Sequence, residues 1–172
     1  MQLFSGAVEN QRSDIQAFEY VDVWRVPLVP TSGDGAPTQI VDACSAVGSD
    51  LHCRRHGPDV YLENAVWTIS LLETGDCHIG LEPGPRPRHK TAGVEPLKSF
   101  SFGGLHIDQS LAEATVLIAD TVQGELAGYP PFIQWPIEEK RLLMPLVRDG
   151  RAIWRDPRTD RQVAEIGLLR SA

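Results

Sequence analysis

Apolar positions along this chain alternate over many short stretches and change once to a spacing of three and four. The exception is Leu111, Ala114, Ile118, Val122 and Leu126, which fall on one side of a helix of about 3.6 residues per turn. Ser110 and Glu113 precede the stripe at capping-box spacing, with Asp108 as a second candidate cap. Gly128 suits the position after the last turn, and Pro130-Pro131 forbid continuation. One long helix over 110–127 is predicted, with Glu113, Asp120, Gln123 and Glu125 facing water.

The alternating stretches predict strands. Residues 18–28 (FEYVDVWRVPL) are rich in β-branched and aromatic side chains, and Pro27 confines that strand to an edge or ends it. The segment 31–37 (TSGDGAP) reads as a turn. Residues 39–46 fit a short strand or a single helical turn, and 48–58 read as loop. Val66, Trp67, Ile69, Leu71 and Leu72, then Thr74-Gly75-Asp76, then residues 77–82, predict a hairpin over 66–81. The segment 97–102 (LKSFSF) alternates as another strand. Towards the end, residues 141–147, 151–155 and 161–166 are separated by Asp149-Gly150 and by Asp156-Pro157-Arg158-Thr159, a type I turn signature. They predict a C-terminal meander over 141–166.

Between the hairpin and the helix, residues 83–96 (PGPRPRHKTAGVEP) are too rich in proline and glycine for regular structure and read as an exposed loop. Residues 1–13 read as a mobile segment. The sum is an α+β fold, mostly antiparallel sheet packed by one long helix, in a single domain over 1–172.

Composition adds limits. The chain has 172 residues, 42% hydrophobic and 23% charged, ordinary globular values that allow a sizeable core. No apolar run approaches the ~20 residues of a membrane helix, and the first ten residues lack the pattern of a secretory signal. The odd, low cysteine count (Cys44, Cys53, Cys77) argues against a disulfide framework and for a reducing compartment, by default the cytoplasm.

The net charge of −7 is unevenly spread: −5 over 1–50, zero over 51–100, −4 over 101–137 and +2 over 138–172. An acidic body disfavours nucleic-acid binding, which needs clustered positive charge, and suits a basic protein partner.

Candidate chemistry is sparse. Four of the five histidines and all three cysteines fall between 44 and 89. Zinc takes cysteine and histidine ligands, so His52, Cys53, His56 and Cys77 form a candidate metal set, although the spacing matches no finger or ribbon. Cys53, beside Arg54, Arg55 and His56, or Cys77 is a weaker candidate nucleophile. Gly103-Gly104 ahead of the helix lacks a phosphate-loop motif and reads as a turn. Arg148, Arg151, Arg155, Arg158 and Arg161 surround Trp154 and can bind anionic groups or pair with the acidic N-terminal third, the favoured reading. Phe132 and Trp135, set between prolines, either cap the core or form an apolar patch.

The leading expectation is a non-enzymatic acidic interaction module without cofactor, of the bacterial immunity, inhibitor or adaptor kind. It binds a protein partner, with Phe132, Trp135, Arg151 and Arg155 as candidate contacts. The alternatives are a small-molecule binder or small enzyme with a sheet-walled pocket near Glu63, His78 and His106, and a zinc protein using the His/Cys set.

Overall fold

A computed structural model describes residues 19–33, 35–85 and 94–170. The expected mobile segment 1–13 and the middle of the proline-rich loop lie outside the described residues. In chain order the elements are β1 (Tyr20–Pro27), α1 (Thr38–Asp50), β2 (Asp59–Tyr61), β3 (Val66–Leu72), β4 (Asp76–Glu82), β5 (Val94–Pro96) and β6 (Phe100–His106). They continue with α2 (Leu111–Gly128), β7 (Ile137–Glu138), β8 (Arg141–Leu142), β9 (Met144–Arg148), β10 (Arg151–Arg155) and β11 (Gln162–Glu165). The class is α+β, as the periodicities require.

The main sheet is antiparallel with order β1-β3-β4-β6. Val26 sits opposite Trp67, and Ile69 opposite Ile79. Alternation therefore sends Val26, Trp67, Ile69, Cys77, Ile79 and Leu81 to one buried face. Pro27 pairs at the outer edge, where its missing N–H costs no ladder bond. Gly103 and Gly104 form a bulge rather than a turn before the helix: Leu105 pairs with Cys77 and Phe102 with Ile79, so β6 carries one extra residue, and Gly104 takes φ +92°. The proline-rich segment is not wholly irregular, because Val94–Pro96 pairs in parallel with β2.

Both helices pack on the buried face and on one another. In α2, the Ser110 hydroxyl accepts from Glu113 N–H and the Glu113 carboxylate accepts from Ser110 N–H, completing the capping box. Two positions depart from the predicted stripe. Leu111 is 46% exposed. Gln123 is buried, its amide donating to the carbonyls of Trp135 (2.9 Å) and Leu143 (2.7 Å).

Residues 38–50 form a full helix, where the sequence left strand and helix open over 39–46 and read 48–58 as loop, so the helix takes in 48–50 as well. Ile40, Ala43, Cys44, Val47 and Leu51 line its buried side. Pro37 stands at its N-cap without a side-chain hydrogen bond, and no acid marks its first turn and no base its last, so the usual punctuation is missing. Gly48 lets it approach β1's exit, since a Cβ there would run into the Leu28 carbonyl.

The C-terminal meander has order β11-β10-β9. Asp149 and Gly150 both take positive φ, the geometry of a type I′ hairpin turn. Ile153 and Trp154 reach the core, and Trp154 meets Trp135 edge-to-face at 5.1 Å.

Candidate functional site

A groove of about 440 Å³ lies between the start of β6 and the end of α2. The double proline makes it. Helix α2 stops at Gly128, Tyr129 turns extended, and Phe132 N–H donates 2.8 Å to the Tyr129 carbonyl to close a tight turn. Ile133 N–H donates 2.8 Å to the Leu126 carbonyl and fixes that turn on the helix. Tyr129 is thereby held at the rim, 58% exposed, while Leu97 and Leu126 form a buried floor. Lys98 stands on the strand side and Glu125 on the helix side. Among the described residues β6 has β4 on one side and no strand on the other, and its first two residues, Phe100 and Ser101, line the groove.

A second hollow, about 310 Å³, lies on the outer face of the same sheet and shares Ser99, Phe100 and Ser101 with the groove. Thr68, Gly80 and Ser101 are cross-strand neighbours, as are Ser70 and His78, so alternation places all five on this face. Gly80 forms the floor; a Cβ there would lie 3.5 Å from the Thr68 Cβ. The His78 Nδ1 pairs with the Tyr20 hydroxyl at 3.0 Å. The Glu82 carboxylate accepts from Thr68 (2.7 Å) and from Arg25 (2.7 Å).

The candidate partner contacts are not brought together. Phe132 is 59% exposed beside the groove's proline wall. Trp135 is fully buried, its indole N–H donating to the Asp50 carbonyl at 3.0 Å, so it presents no surface to a partner. Arg151 pairs with Glu165 and Arg155 with Asp160, and neither lines the groove or the hollow. The arginines therefore pair within the C-terminal third, with Arg148 on Asp160 and Arg161 on Glu138, instead of with the acidic N-terminal third. Asp160, in the turn between β10 and β11, serves both Arg148 and Arg155, and a loop of this length closes at less entropic cost than one reaching the N-terminal third.

The metal set is dispersed. Cys77 is buried on the inner face of β4, whereas His52 and His56 are exposed on the loop after α1. Cys53 Sγ donates to the Leu169 carbonyl at 3.5 Å. Among the described residues no group of three or more histidine, cysteine, aspartate or glutamate side chains could hold a metal ion. Burial pushes the Cys44 and Cys77 thiols up, away from thiolate character. Of the three titratable groups expected near a pocket, His78 lines the outer hollow; Glu63 accepts from Tyr61, and His106 pairs with the Thr74 carbonyl.

Sequence reasoning passed over Tyr129, Lys98, Ser70 and Gly80. An aromatic residue trapped between a helix end and a double proline was a visible signal for Tyr129. Ser70 and Gly80 have no local mark, because only the strand register puts them together. Among the described residues no helix is long and apolar enough to cross a membrane. Comparison with protein-family models, with curated proteins and with solved structures finds no match.

Proposed function

We propose that this chain is a non-enzymatic interaction module that takes an extended, basic segment of a protein partner along the open edge of β6. The supporting observation is the combination on one groove: an edge strand without a described neighbour beside the exposed Tyr129 and the Pro130-Pro131 wall. An edge strand asks for backbone donors and acceptors in register, which a peptide supplies, while an apolar trough accepts alternate side chains. The partner's charge follows from its surroundings. Against the single base of the lining, Lys98, stand Glu125 on the helix wall and the exposed Glu113 and Asp120 along α2, and residues 101–137 carry four acids and no lysine or arginine. With three thiols and no disulfide among them, a reducing compartment such as the cytoplasm is the proposed location.

Selection from a random peptide library, followed by calorimetry, tests this reading. Enriched peptides should carry basic and apolar residues in alternation. Tyr129→Ala should weaken them about tenfold or more, and N-methylation of alternate backbone amides should do the same. Absence of enrichment, or affinity indifferent to both changes, overturns it.

A further inference from the structure

Beyond the peptide groove, we propose that the outer-face hollow over Gly80 is a binding site for a neutral polyhydroxyl ligand, one sugar ring in size. Its volume of about 310 Å³ stands at the lower end of the ~300–1,000 Å³ usual for small-molecule sites. The lining is unusually rich in groups that both donate and accept: the hydroxyls of Tyr20, Thr68, Ser70, Ser99 and Ser101.

Ser70 carries the argument furthest. It is 8% exposed, it lines the hollow, and its hydroxyl makes no hydrogen bond among the described residues. The hydroxyl opens onto the hollow rather than being sealed in the sheet, so its partner, water or a ligand, comes from that space. The charge at the rim is already cancelled, because Arg25 and Glu82 hold one another at 2.7 Å. An anion would meet the Glu82 carboxylate, and a cation gains little from a carboxylate that Arg25 already neutralises, so a neutral ligand suits the site. Two glycines keep the space. Gly103 leaves room for the His78 ring, which a Cβ would crowd at 2.9 Å, and Gly80 leaves the floor open.

Gly80 also provides the test. Its backbone lies outside the positive-φ region and an added Cβ meets only ordinary contacts, so Gly80→Ala and Gly80→Val fill the hollow from below within an intact strand. Amide NMR titrations would use glucose, galactose, mannose and N-acetylglucosamine, with inorganic phosphate for comparison. At least one sugar should shift the Thr68, Ser70, Gly80 and Ser101 amides saturably, with a Kd on the order of 1 mM. Gly80→Ala should weaken that binding and Gly80→Val should weaken it about tenfold or more, with Ser70→Ala falling between wild type and Gly80→Val. The proposal is overturned if no sugar gives a saturable shift, if the filled variants bind as well as wild type, or if phosphate binds the same amides more tightly than every sugar.

Discussion

The Trp154 indole N–H donates to the Asp50 carboxylate at 2.7 Å, between two side chains with no exposed surface. The same carboxylate accepts the backbone N–H groups of Gly167 (2.7 Å) and Leu169 (2.9 Å), while the Asp50 carbonyl accepts from Trp135 and from Cys53 N–H. One residue at the end of α1 thus joins the meander, the segment after α2 and the C-terminal stretch. Arg54 and Cys53 add bonds to the carbonyls of Arg170 and Leu169. All three groups facing the carboxylate are donors, so Asp50 satisfies two buried N–H groups and one half-buried one.

Asp50→Ala should therefore destabilise the fold by about 3–5 kcal/mol, since it orphans two buried donors and a half-buried one. Trp154→Phe, which keeps an aromatic ring and loses the N–H, should cost about 1–3 kcal/mol. The two changes share one bond, so their double variant should depart from additivity by about 0.5–3 kcal/mol. Urea denaturation of the four proteins measures this, and strict additivity would show the bond to be energetically idle.

Gln123 plays a related part on α2, holding two carbonyls of the segment that crosses beneath it. Gln123→Leu preserves bulk and leaves the carbonyls of Trp135 and Leu143 without that donor. The expected loss is about 2–4 kcal/mol in chemical denaturation; a change within ~0.5 kcal/mol, as at an ordinary surface site, would mean that water or backbone replaces the amide.

At Gly48 the constraint is space. Helix α1 crosses the Leu28 carbonyl so closely that a methyl group would occupy the same volume as backbone. Gly48→Ala normally gains helix propensity of about 1 kcal/mol; here the overlap should outweigh it, with a net loss of about 1–3 kcal/mol. A Tm above wild type would contradict this packing.

How much of this was legible in the sequence depends on whether the signal was local. The α2 capping box, the Asp149-Gly150 turn and the 66–81 hairpin are written in consecutive residues, and the structure repeats them. Helix α1 was obscured because Pro37 and Leu51 replace the usual caps, although Ile40, Ala43, Cys44 and Val47 carry a helical period. Gln123 reads as a surface residue until its two carbonyl partners, 12 and 20 residues away, are brought beneath it. The same holds for Trp135, whose polar handle finds Asp50 at a separation of 85 residues. The outer hollow is a product of register: Ser70 faces His78 and Gly80 faces Thr68 only once β3 and β4 are paired.

The cysteines should react in a set order. Cys53 is half-buried at the C-terminal stretch, whereas Cys44 and Cys77 are fully buried and their thiols are pushed up by burial. A thiol reagent should label Cys53 first, through local opening around Leu169, and reach Cys44 and Cys77 only on global unfolding. Mass spectrometry of partially labelled protein checks the order. Early labelling of Cys77 would contradict its place in the core.

The pH dependence of stability should combine two opposite contributions. Hydrogen bonds from Ser110 hold the Glu113 carboxyl below its usual range, bonds from Arg155 and Arg148 do so for Asp160, and the Arg158 N–H does so for Asp156. Their folded values lie below their unfolded ones, so their stabilisation is complete above the ordinary carboxylate range and is lost as pH falls through the folded values. Asp50 has the reverse sign, because burial lifts its carboxyl above the ordinary value against the pull of its donors and of Arg54. In the window above the ordinary carboxylate range, the folded chain keeps a proton there that the unfolded chain has lost. That contribution therefore declines as pH rises through the lifted value. Melting curves of wild type, Asp160→Asn and Asp50→Asn across the acid range separate the two. Asp160→Asn should flatten the acid-side loss, since two arginines lose their charged partner. Relative to Asp50→Asn, wild type should lose ground with rising pH between the ordinary carboxylate range and the lifted value, and hold steady beyond the lifted value. A wild-type advantage that grows with pH in that window would mean that the three donors outweigh burial and hold Asp50 ionised at ordinary acidity.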